Sequence, residues 1–104
     1  MRIFGLKNCD TCRKAAKALG AELVDIRATP LDPGQIDQFY STFGDALVNT
    51  RSTTWRGLSD ADRALTPADL IAAHPSVMKR PVIEAADGQL HLGWGKDVQA
   101  ALGQ

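Results

Sequence analysis

Two cysteines lie three residues apart near the start of the chain, in the segment Cys9-Asp10-Thr11-Cys12. They are the only cysteines among 104 residues, too few for a disulfide-stapled fold, and a close pair in a reducing compartment is typical of catalysis or metal binding. A thiolate is a nucleophile, and a thiol one helical turn away can attack a mixed disulfide formed on it. We therefore predict redox chemistry in which Cys9 is the nucleophile and Cys12 the resolving thiol.

Two other interpretations of the cysteine pair are open. Both side chains could be buried structural residues, although a position at the start of a helix favours reactivity. The pair could also bind zinc, but structural zinc usually needs four ligands. The chain has one Cys-x-x-Cys, and His74 and His91 lack metal-ligand spacing, so we expect no metal.

The elements that flank the pair explain why Cys9 should be reactive. Residues 2–6 are typical of a buried strand, Lys7 and Asn8 of a turn, and residues from about 10 to 19 of a helix ended by Gly20. Unpaired backbone N–H groups at a helix start stabilise a thiolate, so the pKa of Cys9 should fall. Three nearby cations should add to this effect and Asp10 should oppose it. These cations are Lys7, Arg13 and Lys14.

The rest of the chain predicts an α/β fold. Residues 22–27 alternate as a second strand, which gives a βαβ start, and a second helix should begin at Pro33 after an Asp32 cap and end before Gly44. Residues 45–78 are helical but interrupted, with a polar loop over 49–57. Two strands, 81–85 and 89–92, should flank a turn at Asp87-Gly88, and a last helix should cover about 96–102.

This order, β-α-β, helical insertion, β-β-α, is that of a thioredoxin-like fold with a mixed four-stranded sheet. We predict a single domain over residues 1–104, with the insertion at about 45–78.

The charge balance restricts the possible partners. Twelve basic and twelve acidic side chains leave no excess positive field for direct nucleic-acid or membrane binding. The apolar run after Met1 is too short for a secretory signal, and no later segment approaches the roughly 18 apolar residues that a membrane span needs. We therefore expect a cytoplasmic protein.

Three segments, residues 5–15, 49–56 and 79–81, resemble the arsenate reductase/Spx (ArsC-like) family in order and separation. The resemblance covers nearly the whole chain and implies a thioredoxin-like fold with a helical insertion. It makes Cys9 the catalytic or redox-sensing cysteine. It also implies that Arg80 and Pro81 border the pocket, with the proline commonly cis, and that the Arg80 guanidinium binds an oxyanion or carboxylate.

Two further residues are candidates for anion binding. Asn8 could donate to a bound oxygen or simply close its turn, and Arg51 could bind the anion or be solvated. Arsenate-reducing members of the family supply arginines from three segments. Here the first corresponds to Asn49, with Arg51 two residues later, and the third falls on the non-basic residues 90–94. These departures count against arsenate as the physiological substrate.

The resemblance leaves two functional branches. A reductase-like branch, presumed to use glutathione, shares the segment Asn-Thr-Arg-x-Thr-Thr-Trp-Arg found at 49–56. In it Cys9 attacks a small oxidised substrate, and Cys12, glutathione or another thiol partner releases the product. The alternative is an Spx-type redox-sensing regulator that binds RNA polymerase, which the second cysteine favours. Residues 53–56 and the short C-terminus favour the reductase, with glutathione as co-substrate and no tightly bound cofactor.

Overall fold

The computed structural model describes all 104 residues. Its internal contacts divide the chain into two units, one formed by Met1–Thr29 with Arg80–Gln104 and the other by Pro30–Lys79. None of the helices combines the length and the apolar character needed to cross a membrane.

The first unit is built on a mixed four-stranded sheet with strand order β2-β1-β3-β4. Strand β1 pairs in parallel with β2 and antiparallel with β3, and β3 pairs antiparallel with β4. This arrangement confirms the predicted thioredoxin-like fold class. The elements of this unit are β1 (Arg2–Gly5), α1 (Asp10–Leu19), β2 (Glu22–Asp25), β3 (Val82–Glu84), β4 (Leu90–Leu92) and α6 (Lys96–Ala101).

An apolar cluster holds the sheet and the helices of the first unit together. Ile3 and Ile83 are opposite each other on β1 and β3, and both are fully buried. They belong to one cluster with Ala15 of α1 and Val98 of α6. Removing such side chains from water is the main favourable contribution to folding. The cluster therefore fixes α1, and the residue at its start, against the sheet.

The second unit is helical apart from one isolated bridge between Val48 and Met78. Its core is formed by apolar side chains from the long helix and from the segments that follow it, among them Phe39, Leu47 and Ile71. The elements are α2 (Pro33–Phe43), a 3₁₀ turn (Gly44–Leu47), α3 (Thr53–Arg56), α4 (Asp60–Arg63), α5 (Pro67–Ala73) and a second 3₁₀ turn (Pro75–Val77).

The sequence-based element boundaries differ from the structure in two informative places. Strand β2 ends at Asp25 and not at Arg27, because the Asp25 carboxylate accepts the backbone N–H groups of Arg27 and Ala28 and turns the chain. The polar loop predicted over 49–57 contains helix α3, whose first turn is capped by Ser52. Elsewhere the predicted strands and the last helix are only one or two residues too long.

Candidate active site around Cys9

Cys9 is the N-cap residue of α1, at the point where the chain leaves β1 and enters the helix. Its N–H donates to the Leu6 carbonyl at 3.1 Å, which closes a turn over residues 6–9 (the Leu6–Cys9 turn). Its carbonyl accepts the N–H of Arg13 at 3.0 Å, the first hydrogen bond of the helix. The backbone is thus held on both sides of the residue, and the thiol is only partly buried.

The electrostatic surroundings favour the thiolate form of Cys9. Partial burial acts to raise the pKa of this thiol, but the Cys12 backbone N–H, the Cys12 side chain and Arg80 together outweigh it, so the pKa lies below its ordinary value. The sulfur makes no close capping hydrogen bond with the first turn, so the Cys12 N–H acts on it at longer range. The direction agrees with the sequence-based expectation.

Cys12 is in the opposite situation. Its side chain is fully buried, and burial, followed by the side chain and charge of Cys9, raises the pKa of Cys12 to about 11 despite the opposing effects of the Leu6 backbone and Arg80. A Cβ atom added at Gly5 would overlap the Cys12 sulfur, so the absence of a side chain at Gly5 leaves space for this thiol. The surroundings thus shift the two thiols in opposite directions, towards the thiolate at Cys9 and towards the neutral thiol at Cys12.

The cation that favours the Cys9 thiolate is Arg80. Sequence reasoning expected help from Lys7, Arg13 and Lys14, but none of them is among the main causes that lower the pKa of Cys9. Arg13 instead forms an ion pair with Asp10 within the first turn of α1. The opposing charge of Asp10 and the helping charge of Arg13 therefore offset each other.

Arg80 is followed by a cis peptide bond to Pro81, as the family resemblance implied. Pro81 is buried, and its carbonyl accepts the N–H of Gly93 at 2.8 Å. This bond fixes the backbone next to Arg80 where β3 begins. The guanidinium is thus supplied from a different strand of the sheet than the one that leads into Cys9.

Asn8 lies in the turn directly before Cys9 and is exposed. Its side-chain oxygen accepts a hydrogen bond from Nη2 of Arg27 at 3.1 Å. The amide N–H₂ group, the only donor of this side chain, is the part of Asn8 that can donate to a bound oxygen.

Asp25 contributes to this region, and sequence reasoning missed it. Its carboxylate accepts the backbone N–H of Lys7 at 3.0 Å as well as those of Arg27 and Ala28 at 2.8 and 3.2 Å. The Lys7 and Arg27 N–H groups are the main influences that lower the pKa of Asp25. A signal was available: in a parallel β1–β2 pair, Asp25 is opposite Gly5, next to the turn that precedes Cys9.

Arg51 belongs to the second unit, whereas the other predicted site residues belong to the first. It is exposed and lies just before helix α3, where its backbone N–H donates to the side chain of Asn49 at 3.0 Å. Its participation in an anion site stays a prediction.

Trp55 in the same unit is half-buried, and the Arg63 guanidinium stacks on its ring at 5.7 Å. A cavity of about 200 Å³ lies beside Trp55. Arg63, the cation in its lining, already donates to the carbonyls of Trp55 and Arg56. We therefore see no anion site there.

No group of three or more His, Cys, Asp or Glu side chains anywhere in the chain is arranged to hold a metal ion.

Comparison with known proteins establishes the family. The model of the ArsC family matches residues 4–102, and the chain belongs to that family. An uncharacterised protein of Haemophilus influenzae is 39% identical in an alignment of 110 positions, gaps included, that covers 95% of this chain and 96% of the relative. This result confirms the resemblance seen in the sequence motifs.

Solved structures agree with the assignment. A protein named YFFB (PA3664) superposes with a TM-score of 0.82 at 28% identity, over 97% of this chain and 96% of its own. The solution structure of an arsenate reductase (ArsC) related protein from Brucella melitensis gives a TM-score of 0.72 at 34% identity, over 95% and 91% of the two chains. A putative arsenate reductase from Yersinia pestis, only 21% identical over 99% of this chain and 98% of its own, shares the fold with a TM-score of 0.74.

Proposed function

We propose that this protein is a cytoplasmic thiol-dependent reductase in which the Cys9 thiolate attacks a small oxidised substrate and glutathione releases the product. The observation that carries the proposal is the opposite perturbation of the two thiols. Cys9, partly exposed and influenced by Arg80, has a lowered pKa, while buried Cys12 has a raised one. Of the two sulfurs, Cys9 is therefore the more readily ionised and the more accessible nucleophile.

The reaction on a disulfide substrate proceeds in two exchanges. The Cys9 thiolate attacks one substrate sulfur, forms a mixed disulfide with it and expels the other sulfur as a thiolate. Glutathione thiolate then attacks the substrate sulfur of the mixed disulfide, which regenerates the Cys9 thiolate and leaves the substrate sulfur joined to glutathione. Cys9 is regenerated and supplies no net electrons. A second glutathione thiolate that attacks the glutathione sulfur of this product releases the substrate thiolate and forms glutathione disulfide, so two glutathione molecules supply the two electrons of the complete reduction.

Glutathione suits the second exchange better than Cys12 does. Once Cys9 is in a mixed disulfide its negative charge is gone, which removes one cause of the high pKa of Cys12. Burial, the largest cause, remains. Cys12 would still have to lose a proton inside the protein, whereas a glutathione thiolate can arrive from solvent.

The remaining site residues would bind the anionic parts of the ligands. Arg80 offers a planar fork of N–H donors suited to a carboxylate or oxyanion, and Asn8 offers the amide N–H₂ group that Arg27 leaves unused. Arg51 stays a proposed anion-binding residue. Relatives described as arsenate reductase-related are consistent with oxyanion recognition, although the non-basic residues 90–94 favour a substrate other than arsenate.

A second candidate function is a redox-sensing regulator of the Spx type that binds RNA polymerase. The observation that favours it is the direct interaction between the two thiols, since the Cys12 side chain acts on the Cys9 sulfur. Oxidation of such a pair to a disulfide would alter the start of α1, and a partner protein could detect that change.

One comparison separates the two functions. Glutathione-dependent reduction of a small disulfide and capture of the RNA polymerase α-subunit are measured with wild type, Cys9→Ser and Cys12→Ser. The reductase predicts that Cys9→Ser abolishes turnover while Cys12→Ser retains most of it, without polymerase binding. Redox-dependent polymerase binding without turnover, lost in both variants, would replace the reductase with the regulator.

Arg80→Ala tests the anion site separately. Removing a cation that favours the thiolate should raise the pKa of Cys9, and removing the guanidinium fork should weaken glutathione binding by about tenfold, with the fold intact. Calorimetry with glutathione and pH-dependent alkylation of Cys9 measure the two effects. An unchanged affinity would remove Arg80 from the ligand site.

A further inference from the structure

The Leu6–Cys9 turn that presents the nucleophile is held from outside by Asp25, the last residue of β2, and by Arg27, two residues beyond it. Asp25 Oδ2 accepts the N–H of Lys7 at 3.0 Å. Arg27 Nη2 donates to the side-chain oxygen of Asn8 at 3.1 Å. Both central residues of the turn are thus attached to the same short segment, residues 25–27.

The two carboxylate oxygens of Asp25 accept hydrogen bonds from different parts of the chain. Oδ1 accepts the N–H groups of Arg27 and Ala28, a local arrangement that ends β2 and places the Arg27 side chain. Oδ2 makes the long-range contact to Lys7, 18 residues earlier in the sequence. A residue that only ended a strand would not need the second contact.

We infer that Asp25 is a positioning residue for Cys9: it fixes the Leu6–Cys9 turn, directly through Lys7 and indirectly through Arg27 and Asn8, so that the sulfur stays near Arg80 and the first turn of α1. Asp25 touches neither substrate nor the reacting sulfur and acts through the turn. The inference builds on the proposed nucleophilic role of Cys9.

Loss of the charge of Asp25 and loss of its positioning contacts should change the pKa of Cys9 in opposite directions. A carboxylate near a thiol disfavours the thiolate, so loss of its negative charge alone should lower the pKa of Cys9 or leave it unchanged. Loss of the positioning contacts should let the sulfur move away from the Cys12 N–H and Arg80, which raises that pKa. The sign of the shift therefore distinguishes the two effects.

The experiment measures the rate of Cys9 alkylation by iodoacetamide across pH, with the modified cysteine identified by mass mapping. In Asp25→Ala we expect the apparent pKa of Cys9 to rise by about half a unit, which lowers the rate about threefold at pH values below both midpoints. Asp25→Asn, which retains one acceptor oxygen, should fall between wild type and Asp25→Ala.

Asp10→Asn is the matched control. Asp10 is also an acid close to Cys9 in sequence, but it pairs with Arg13 and its side chain anchors no backbone group of the turn. This variant should leave the apparent pKa of Cys9 unchanged or slightly lower. A rise equal to that of Asp25→Ala would show a general sensitivity of Cys9 and would overturn the inference.

The remaining outcomes are also decisive. A lower or unchanged apparent pKa in Asp25→Ala, with circular dichroism showing a folded protein, would overturn the positioning role. If Asp25→Ala does not fold, the sign of the shift in Asp25→Asn decides by the same rule. Because alkylation needs neither glutathione nor a substrate, the result stands even if the proposed reductase activity is not found.

Discussion

The helices of the two units begin in different ways. All four α-helices of the second unit start at a residue whose side chain accepts an N–H group of the first turn. In the first unit neither α1, which starts after Cys9, nor α6, which starts after Gly95, has such a cap. The capping residues of the second unit are Asp32, Ser52, Ser59 and Thr66.

At α1 this difference bears on the proposed nucleophilic role of Cys9. A capping side chain is worth about 1 kcal/mol to a helix, and three of the four capped helices are only four to seven residues long, too short to persist on their own. Helix α1 has ten residues and packs on the sheet through Ala15. It can do without a cap, and its first-turn N–H groups remain available to the Cys9 thiolate.

Gly5→Ala should have the largest effect on stability, because it disturbs the packing of β1 against Cys12. This packing holds the first turn of α1, which has no side-chain cap. The new Cβ atom would overlap the Cys12 sulfur and lie 3.2 Å from the Cys12 Cβ. Overpacking of this kind costs about 1–3 kcal/mol, and we expect a loss near the upper end in urea unfolding.

Two controls sharpen this prediction. Adding Cys12→Ala removes the overlapping sulfur and should restore part of the loss. Gly57→Ala in the second unit, where the nearest atoms would be at 3.6 and 3.7 Å, should change stability by no more than about 0.5 kcal/mol. Equal effects of Gly5→Ala and Gly57→Ala would mean that the first turn of α1 is not held by close packing.

The second largest effect should be a loss of stability at alkaline pH, caused by the ionisation of Cys12. The pKa of Cys12 is higher in the folded chain than in the unfolded one, so its contribution is fully present below the ordinary value of about 9 and is lost as the pH rises through about 11. This difference in the pKa of Cys12 between the two states corresponds to roughly 2–3 kcal/mol in the free energy of unfolding. Urea unfolding from pH 8 to 11 should show a loss of stability that Cys12→Ala largely removes.

Cys9→Ala provides the contrast for this pH dependence. It removes the Cys9 charge, a secondary cause of the raised pKa of Cys12, but leaves the burial of Cys12 unchanged. The alkaline loss should become smaller without disappearing. If Cys12→Ala loses stability with pH as steeply as wild type, the ionisation of Cys12 is not the cause.

A smaller effect is expected at the caps of the second unit. The Thr66 side chain accepts the N–H of Asp69 at 3.2 Å at the start of α5. Thr66→Ala should lower the free energy of unfolding by about 1 kcal/mol, and Thr66→Ser, which keeps the hydroxyl, should restore most of it. A loss that Thr66→Ser does not restore would assign the effect to the missing methyl group.

Much of this organisation could be predicted from the sequence, because it depends on local signals. The Asp32 cap with Pro33 and Gly20 at the end of α1 are both as expected. The position of Cys9 at the start of α1 follows from the same kind of signal.

The parts that could not be predicted depend on contacts between distant segments. Sequence proximity suggested Lys7, Arg13 and Lys14 as the cations near Cys9, but the main cation that acts on the sulfur is Arg80, which lies just before β3 and far from Cys9 in sequence. The contact between Asp25 and Lys7 likewise depends on the β1–β2 register. Helix α3 was missed because four residues show too little periodicity to indicate a helix.

The smallest effect, a gain in stability, is expected at Cys9 itself. Serine is among the best N-cap residues, and the Cys9 backbone already has the extended conformation of a cap, with φ −95° and ψ 117°. Cys9→Ser should therefore be more stable than Cys9→Ala by about 0.5–1 kcal/mol in urea unfolding at neutral pH, although neither variant carries a thiolate. Comparing these two variants separates the effect of capping from the effect of losing the sulfur. Equal stabilities would mean that the first-turn N–H groups cannot be reached from position 9, and the contrast between capped and uncapped helices would then have no bearing on the chemistry of Cys9.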